Sequence, residues 1–176
     1  MKVVHSTEDY HLGPSVVTIG IFDGVHKGHN AILNETVKQA REFGYDAVAL
    51  TFDPHPRHVH RPDVEMPLIT TMDDRLNMLE AAGIDVVVIQ EYDLDYASTT
   101  PEDFIDHQLI EKLGAKAVVV GEDVRFGKMN AGDGAFLCNY GGDRIDVTLI
   151  DDLGAGSGRR YSSTWIRELL NQGNVR

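Results

Sequence analysis

Residues 20–29 (Gly-Ile-Phe-Asp-Gly-Val-His-Lys-Gly-His) constrain this chain more than any other segment, because they join an apolar run to an amphipathic stretch. Residues 16–19 have the composition of a buried strand, and residues 28–43 repeat apolar side chains at helical spacing. In such a strand-to-helix unit the helix N-terminus presents backbone N–H groups and a positive dipole. Its glycines let the backbone approach a ligand closely. We expect a phosphate here, with His26 and His29 donating to its oxygens.

Strands and helices alternate along the rest of the chain. The predicted strands are residues 16–20, 47–52, 85–90, 116–120 and 145–150, and the predicted helices are residues 28–43, 71–82, 100–113 and 162–170. Long loops are expected over the proline-rich residues 53–67 and the glycine-rich residues 121–142, and a flexible hairpin over residues 154–158. Because helices separate the strands, we predict an α/β fold with a Rossmann-like, doubly wound parallel sheet and its ligand at the carboxyl ends of the strands.

Composition narrows the class of function. The net charge is −12, so we expect no nucleic-acid partner, because nucleic-acid binders present a basic face. No apolar run approaches the roughly 20 residues that span a bilayer, and no signal-like segment is seen, so we expect a cytoplasmic protein without membrane contact. The single cysteine, Cys138, excludes an internal disulfide. An anionic ligand must meet a local pocket of cations and N–H groups, or arrive with a divalent cation.

Residues 161–167 place three hydroxyls, those of Ser162, Ser163 and Thr164, at a predicted helix start, although capping needs one. Ser163 and Arg167 lie four residues apart on one helix face, so the guanidinium can reach an anion held at the cap. The alternative is a well-capped helix with a solvated arginine.

Two further segments follow predicted strands and carry aromatic and cationic side chains. Residues 51–57 end a strand in a rigid Pro-x-Pro turn that displays Phe52, His55 and an arginine; the alternative is a stiff connection with exposed polar groups. Residues 121–128 offer Phe126 for stacking on a flat ring, beside the positive charge of Arg125 and a lysine; the alternative is an ordinary charged surface loop.

Histidines also suggest two metal sites, which we rank lower. His26 and His29 have no third ligand nearby in the sequence. His55, His58 and His60 share one loop, where neighbouring residues seldom converge on an ion without further ligands.

In this order and spacing, the four segments resemble the adenylyltransferase module of bacterial bifunctional FAD synthetase (riboflavin kinase/FMN adenylyltransferase). The resemblance rests on Gly-x-Phe-Asp-Gly-Val-His-x-Gly-His, Thr-Phe-Asp-Pro-His-Pro, Val-Gly-Glu-Asp-x-Arg-Phe-Gly and Ser-Ser-Thr-x-Ile-Arg, at residues 20–29, 51–56, 120–127 and 162–167. It covers nearly the whole chain. The His-x-Gly-His pair belongs to a wider nucleotidyltransferase superfamily, whereas the Phe-Asp version and the Pro-His-Pro turn are specific to the flavin branch.

The resemblance implies the reaction FMN + ATP → FAD + pyrophosphate, with Mg²⁺ accompanying ATP. The phosphate of FMN is already a nucleophile, so positioning and charge stabilisation suffice. The resemblance assigns catalytic contacts with the phosphates to His26, His29 and Arg167. It assigns ATP binding to Gly20, Phe22, Asp23, Gly24, Gly28, Ser162, Ser163 and Thr164. Flavin binding is assigned to Phe52, Pro54, His55, Pro56, Asp123, Arg125 and Phe126.

Two departures from the family pattern stand out. Val124 replaces a usual aromatic residue, and the sequence stops where the family's riboflavin kinase barrel would begin. We therefore expect residues 1–176 to form a single FMN adenylyltransferase domain, covalently linked to a kinase domain in a longer protein. The alternatives are a nucleotidyltransferase with another phosphorylated acceptor and a non-catalytic flavin- or nucleotide-binding module.

Overall fold

A computed structural model of the chain describes residues 1–151 and 162–173. Its sheet has six parallel strands in the order β1-β4-β3-β2-β5-β6, namely β1 (Lys2–His5), β2 (Ser15–Ile19), β3 (Asp46–Asp53), β4 (Val86–Glu91), β5 (Ala115–Gly121) and β6 (Asp146–Ile150). The predicted doubly wound α/β fold is confirmed. The order of the strands changes direction at β2, because β3 and β4 follow on one side of it and β5 and β6 on the other. Such a switch point opens a crevice at the carboxyl ends of the strands.

Helices cover both faces of this sheet. They are α1 (Lys27–Phe43), α2 (Pro56–His60), α3 (Met72–Ala81), α4 (Leu94–Ala97), α5 (Pro101–Asp103), α6 (Gly134–Gly141) and α7 (Ser163–Asn171), and α5 runs on as a π-helical segment (Phe104–Lys112). One face packs around Leu33 and Leu79, and the other around Ile105 and Leu109, all of which are fully buried. The described helices include none with the length and apolar character that a membrane crossing requires.

The structure corrects three sequence-based predictions. Strand β1 was missed, because it has only four residues at a sheet edge and only Val4 of these is buried. Helix α2 lies in the predicted loop 53–67, where Pro56 occupies the first turn and the His55 side chain accepts from the N–H of Arg57. Helix α6 lies in the predicted loop 121–142 and is capped by Asp133, whose side chain accepts from the N–H of Phe136. The hairpin predicted over residues 154–158 falls outside the described residues.

Candidate active site

A cavity of about 1040 Å³ opens at the carboxyl ends of the strands. Its wall includes Ile19 at the end of β2, Phe52 in β3, Gly121 in β5 and Ile150 in β6. Most of the residues proposed from the motifs line this one cavity, namely Gly20, Phe22, His26, Gly28, His29, Phe52, His55, Pro56, Asp123, Arg125, Phe126, Ser162 and Ser163. Parallel pairing explains their convergence, because it brings the carboxyl ends of successive strands to one edge of the sheet.

Residues 20–26, the phosphate loop, connect β2 to α1 through a strained backbone. Phe22, Gly24 and Val25 have φ values of 55°, 82° and 31°, a region that costs non-glycine residues about 1–3 kcal/mol each. Burial of Phe22, which is 1% exposed, offsets part of that cost. The phenyl ring lies against Gly20, where an added Cβ would stand 3.0 Å from it. A side chain at Gly20 would therefore require the Phe22 ring to shift by a few tenths of an ångström.

His26 and His29 pack against each other at the start of α1. Their rings stack with centroids 3.7 Å apart, and the edge of the His29 ring contacts Phe22. The Nδ1 atom of His26 accepts from the backbone N–H of His29 at 3.4 Å, which caps the helix. When His26 is neutral, its proton therefore resides on Nε2, which is then a donor. Two imidazoles thus line the cavity where the helix dipole already favours negative charge.

Asp23 lies behind the cavity wall rather than in it. Its carboxylate is 1% exposed and accepts from the N–H groups of Ile69 and Thr70 at 2.9 and 3.0 Å, and from the Thr70 hydroxyl at 3.1 Å. Burial alone would raise the pKa of Asp23, but these hydrogen bonds and the Arg167 guanidinium lower it below its ordinary value. Gly24, also outside the lining, donates its N–H to the Thr70 hydroxyl at 3.2 Å.

Helix α7 brings its hydroxyls to the cavity, but Arg167 faces Asp23. Ser162 caps the helix by accepting from the N–H of Trp165, and Ser163 donates to the backbone carbonyl of Asp23 at 2.7 Å. Arg167 forms an ion pair with the Asp23 carboxylate and donates from Nε to the Pro67 carbonyl at 2.8 Å. The Arg167 side chain is only 14% exposed, so it is not the solvated arginine of the alternative interpretation.

Five of the proposed residues stand apart from the cavity wall, namely Asp23 and Gly24, described above, and Arg167, Pro54 and Thr164. Arg167 and Pro54 do not line it, and Thr164 is an exposed side chain of the first turn of α7. Phe126 does line it, but that ring is 6% exposed and packs against Phe104 and Phe136 with centroids 5.0 and 6.3 Å away. Little of its face remains to stack on a ligand.

Sequence reasoning missed two aromatic side chains that also line the cavity. Tyr92 and Tyr96 follow β4 and contact the ring of Phe52, with centroids 5.9 and 6.0 Å away. The Tyr96 hydroxyl donates to Gln108, and the Tyr92 hydroxyl lies 2.7 Å from Nε2 of His60. Two tyrosines four residues apart directly after a predicted strand were the available signal.

His55 is a neutral side chain in this wall. Burial, followed by the nearby Arg167 and His58, lowers the pKa of His55 to about 4. Asp123, also in the cavity wall, packs against Gly121, where an added Cβ would lie 2.7 Å from Oδ1 of Asp123. The lack of a side chain at Gly121 therefore leaves room for that carboxylate.

The loop histidines do not converge on a metal. His58 Nε2 lies 2.7 Å from the Met66 carbonyl, His60 pairs with Tyr92, and the His55 ring accepts from the N–H of Arg57. Among residues 1–151 and 162–173, no three metal-binding side chains are grouped. The cavity wall does contain two carboxylates, Asp123 and Asp151.

Comparison with known proteins identifies relatives over the whole chain. A putative bifunctional riboflavin kinase/FMN adenylyltransferase of Geobacillus thermodenitrificans is 35% identical over 98% of this chain and 92% of its own length. The bifunctional riboflavin kinase/FMN adenylyltransferases of Bacillus subtilis and Escherichia coli K12 are 33% and 31% identical over 99% of this chain. This chain spans 57% of the length of each of these two relatives.

Solved structures share the fold. A crystal structure from Streptococcus pneumoniae, named a macrolide-efflux protein, matches 99% of this chain and 59% of its own, with a TM-score of 0.85 and 26% identity. Pantoate-β-alanine ligase from Francisella tularensis matches 92% of this chain and 69% of its own at 13% identity and a TM-score of 0.56, which supports the fold alone. The model of the FAD synthetase family matches residues 9–165. The motif resemblance is thus confirmed, and this chain belongs to the FAD synthetase family.

Proposed function

We propose that this chain is an FMN adenylyltransferase that makes FAD and pyrophosphate from FMN and ATP. The observation that carries the proposal is the cavity itself, whose wall combines a stacked histidine pair on a helix N-terminus with an aromatic cluster. The first arrangement suits phosphates and the second suits a flat ring system. Family membership and the names of the relatives support the same reaction.

In this reaction an oxygen of the FMN phosphate attacks the α-phosphorus of ATP. The new P–O bond forms as the bond to the β-phosphate oxygen breaks, and pyrophosphate leaves with the electron pair. Because the attacking oxygen is already anionic, no general base is required. His26 and His29 donate to the non-bridging oxygens of the α-phosphate, where charge accumulates in the transition state. Donors fixed by stacking and capping do not have to reorganise as the charge develops.

The β- and γ-phosphates lie toward α7 in this proposal. Ser162 and Ser163 line the cavity at the N-terminus of the helix, where N–H groups and the dipole favour an anion. Within the described residues, the contacts of Arg167 with Asp23 and Pro67 use two of the five N–H donors of a guanidinium. We assign its other donors to phosphate oxygens, which it would reach from just behind the cavity wall. The backbone of Gly20, Gly24 and Gly28 shapes the loop around them. Thr164, which is exposed, has no role in the proposal.

Mg²⁺ fits this site as an ion carried by ATP. Magnesium binds through phosphate oxygens, water and one or two carboxylates rather than through a complete protein cage. Among the residues that the structure describes, the carboxylates in the cavity wall are Asp123 and Asp151, and the buried Asp23 is not one of them. The ion would neutralise charge on the phosphates that leave as pyrophosphate.

In this proposal the flavin ring binds beside the aromatic cluster. Phe52, Tyr92 and Tyr96 supply apolar and π surface, and the neutral His55 and Pro56 complete that side. Arg125 and Asp123 are the polar contacts from the loop after β5. Phe126 supports this wall from the core rather than stacking on the ring.

We further propose that adenylyl transfer belongs to these 176 residues and that riboflavin kinase activity requires a separate domain. Two of the bifunctional relatives are matched over only 57% of their length, which leaves a large part of each chain for the second activity.

The test is chromatographic. Purified protein is incubated with FMN, MgATP and pyrophosphatase, and FAD is followed by HPLC, with riboflavin replacing FMN in a parallel reaction. FAD formation from FMN without FMN formation from riboflavin is the expected result. Absence of FAD, together with pyrophosphate release on another phosphorylated acceptor, would replace the proposal by a different nucleotidyltransferase. FMN binding without turnover would indicate a non-catalytic module.

A further inference from the structure

We propose that Asp23 is a positioning residue for ATP, which acts by holding Arg167 and the start of α7 against the phosphate loop rather than by contacting the nucleotide. The inference rests on the proposed function, because it assigns Arg167 to the β- and γ-phosphates. It changes the role that the motif resemblance gives to Asp23, which is that of an ATP ligand.

The surroundings of Asp23 leave no place for a nucleotide. The side chain is 1% exposed, and its two oxygens already accept from two backbone N–H groups, one hydroxyl and one guanidinium. Its carboxylate is held in the ionised form, which would repel phosphates at close range. Asp23 can therefore act on a triphosphate only through the groups that it holds.

Arg167 is the group that carries this action. Asp23 binds its Nη2 and the Pro67 carbonyl binds its Nε, so one edge of the guanidinium is fixed from two directions. A flexible arginine side chain loses rotamer entropy when it is ordered on a ligand. Because Asp23 and Pro67 already order the Arg167 side chain, part of this entropy is lost before ATP binds. Ordering the side chain in advance in this way strengthens phosphate binding.

Asp23 joins three segments that are distant in sequence, through its carboxylate and its backbone carbonyl. Asp23 belongs to the phosphate loop, its carboxylate binds Ile69 and Thr70, and its backbone carbonyl accepts from Ser163 in α7. Gly24 adds a further link by donating to the Thr70 hydroxyl. Removing the charge of Asp23 therefore leaves Arg167 and two backbone N–H donors poorly paired directly behind the cavity wall.

A double-mutant cycle on Asp23→Asn and Arg167→Gln tests the proposal. The KM for ATP, the KM for FMN and kcat are measured for wild type, both single variants and the double variant. If Asp23 acts through Arg167, Asp23→Asn raises the KM for ATP about tenfold, as expected for a charge-assisted contact, and changes the KM for FMN less than twofold. The double variant is then no worse than Arg167→Gln alone, because the two changes remove one function.

Asp85 and Arg41 provide the matched control. They form the same kind of pair, with Arg41 Nη1 2.7 Å from Asp85 and the Ala47 N–H also donating to the carboxylate. This pair stands at the beginning of β4, at the edge of the sheet opposite the cavity. Asp85→Asn and Arg41→Gln are expected to leave both KM values unchanged, so a loss specific to ATP cannot come from breaking any Asp–Arg pair.

A second measurement does not depend on turnover. The chain has a single tryptophan, Trp165, two residues before Arg167 in α7, so its emission reports on the start of that helix. Titration with the non-reactive analogue α,β-methylene-ATP and Mg²⁺ is expected to give about tenfold weaker binding in Asp23→Asn than in wild type. Should Asp23→Asn not fold, Asp23→Glu, which keeps the charge on a longer side chain, carries the same cycle and the same titration.

The outcomes separate the two proposals. An unchanged KM for ATP in the Asp23 variant, or losses that multiply in the double variant, would overturn the positioning role. Failure of wild type to make FAD would overturn the proposed function, while the analogue titration would still decide whether Asp23 controls triphosphate binding.

Discussion

The imidazole rings of His26 and His29 stack with their centroids 3.7 Å apart and an interplanar angle of 21°. His26 is the N-cap of α1, and the N–H that it accepts belongs to His29, so each residue fixes the other. This mutual support, together with the contact between His29 and Phe22, places two imidazoles at a helix N-terminus. The pair can therefore be tested as a unit.

Replacing His29 by alanine is expected to reduce kcat by about 100-fold, because a preorganised donor to developing negative charge contributes roughly 3 kcal/mol. The helix cap survives, since it uses the backbone N–H of residue 29 rather than its ring. Steady-state kinetics with FMN and MgATP measure the change. His107→Ala is the control, because His107 is an exposed helical histidine that is not part of the cavity wall. If His29→Ala kept the wild-type kcat, the His29 imidazole would have no role in the reaction.

Tyr92 is expected to contribute to flavin affinity. Tyr92→Leu removes the ring that contacts Phe52 and the hydroxyl that lies 2.7 Å from His60, so the KM for FMN should rise about fivefold to tenfold, as for loss of an aromatic contact of about 1 kcal/mol. The KM for ATP should stay within twofold. Fluorescence titration with FMN gives the affinity directly.

The control for Tyr92 is Tyr45→Leu. Tyr45 also pairs with an aromatic neighbour, Phe43, at a centroid distance of 5.8 Å, but it is not part of the cavity wall. Equal losses of FMN affinity in both variants would show that the effect is general destabilisation and not contact with the ring.

The sequence predicted the parallel sheet and the convergence of the motifs well, because both follow from local patterns. An apolar run before a glycine-rich turn identifies a strand end, and parallel strands place such ends together. Helices α2 and α6 were missed although their caps were visible in the sequence, since clustered prolines and glycines were weighted as loop formers.

The environment of Asp23 could not be predicted in the same way. Its partners Ile69, Thr70 and Arg167 lie 46, 47 and 144 residues away along the chain. No local periodicity encodes such contacts, which depend on how the loop before α3 and the helix α7 pack together. The motif indicated that Asp23 belongs to the site but not that it lies behind the wall.

Gly114 is expected to be indispensable for stability. It has a φ of 63°, and an added Cβ would stand 2.2 Å from the carbonyl oxygen of Gly13, a backbone atom that cannot rotate away. Gly114→Ala should therefore cost more than about 3 kcal/mol in the free energy of unfolding, measured by urea denaturation.

A comparison with Gly44→Ala separates the two causes of the lost stability, which are the positive φ and the close contact of the added Cβ. Gly44 also has a positive φ, 69°, but nothing lies within 4 Å of an added Cβ. Its substitution should cost only the conformational penalty of about 1–2 kcal/mol. If both variants lost the same free energy of unfolding, the close approach of Gly13 to Gly114 would contribute nothing to the loss.

His55 is expected to make stability depend on pH in the acidic range. Burial, followed by the neighbouring Arg167, lowers its pKa from 6.5 to about 4 in the folded protein. Between these two values the unfolded chain binds a proton that the folded chain does not, so stability falls as the pH decreases from 6.5 toward 4. His55→Gln should flatten the stability profile in that window, as measured by urea denaturation at several pH values.

His107 provides a control of opposite sign, because its hydrogen bond to Glu111 raises its pKa. His107→Gln should leave the acidic fall intact, and a His55→Gln profile as steep as wild type would assign that fall to other groups.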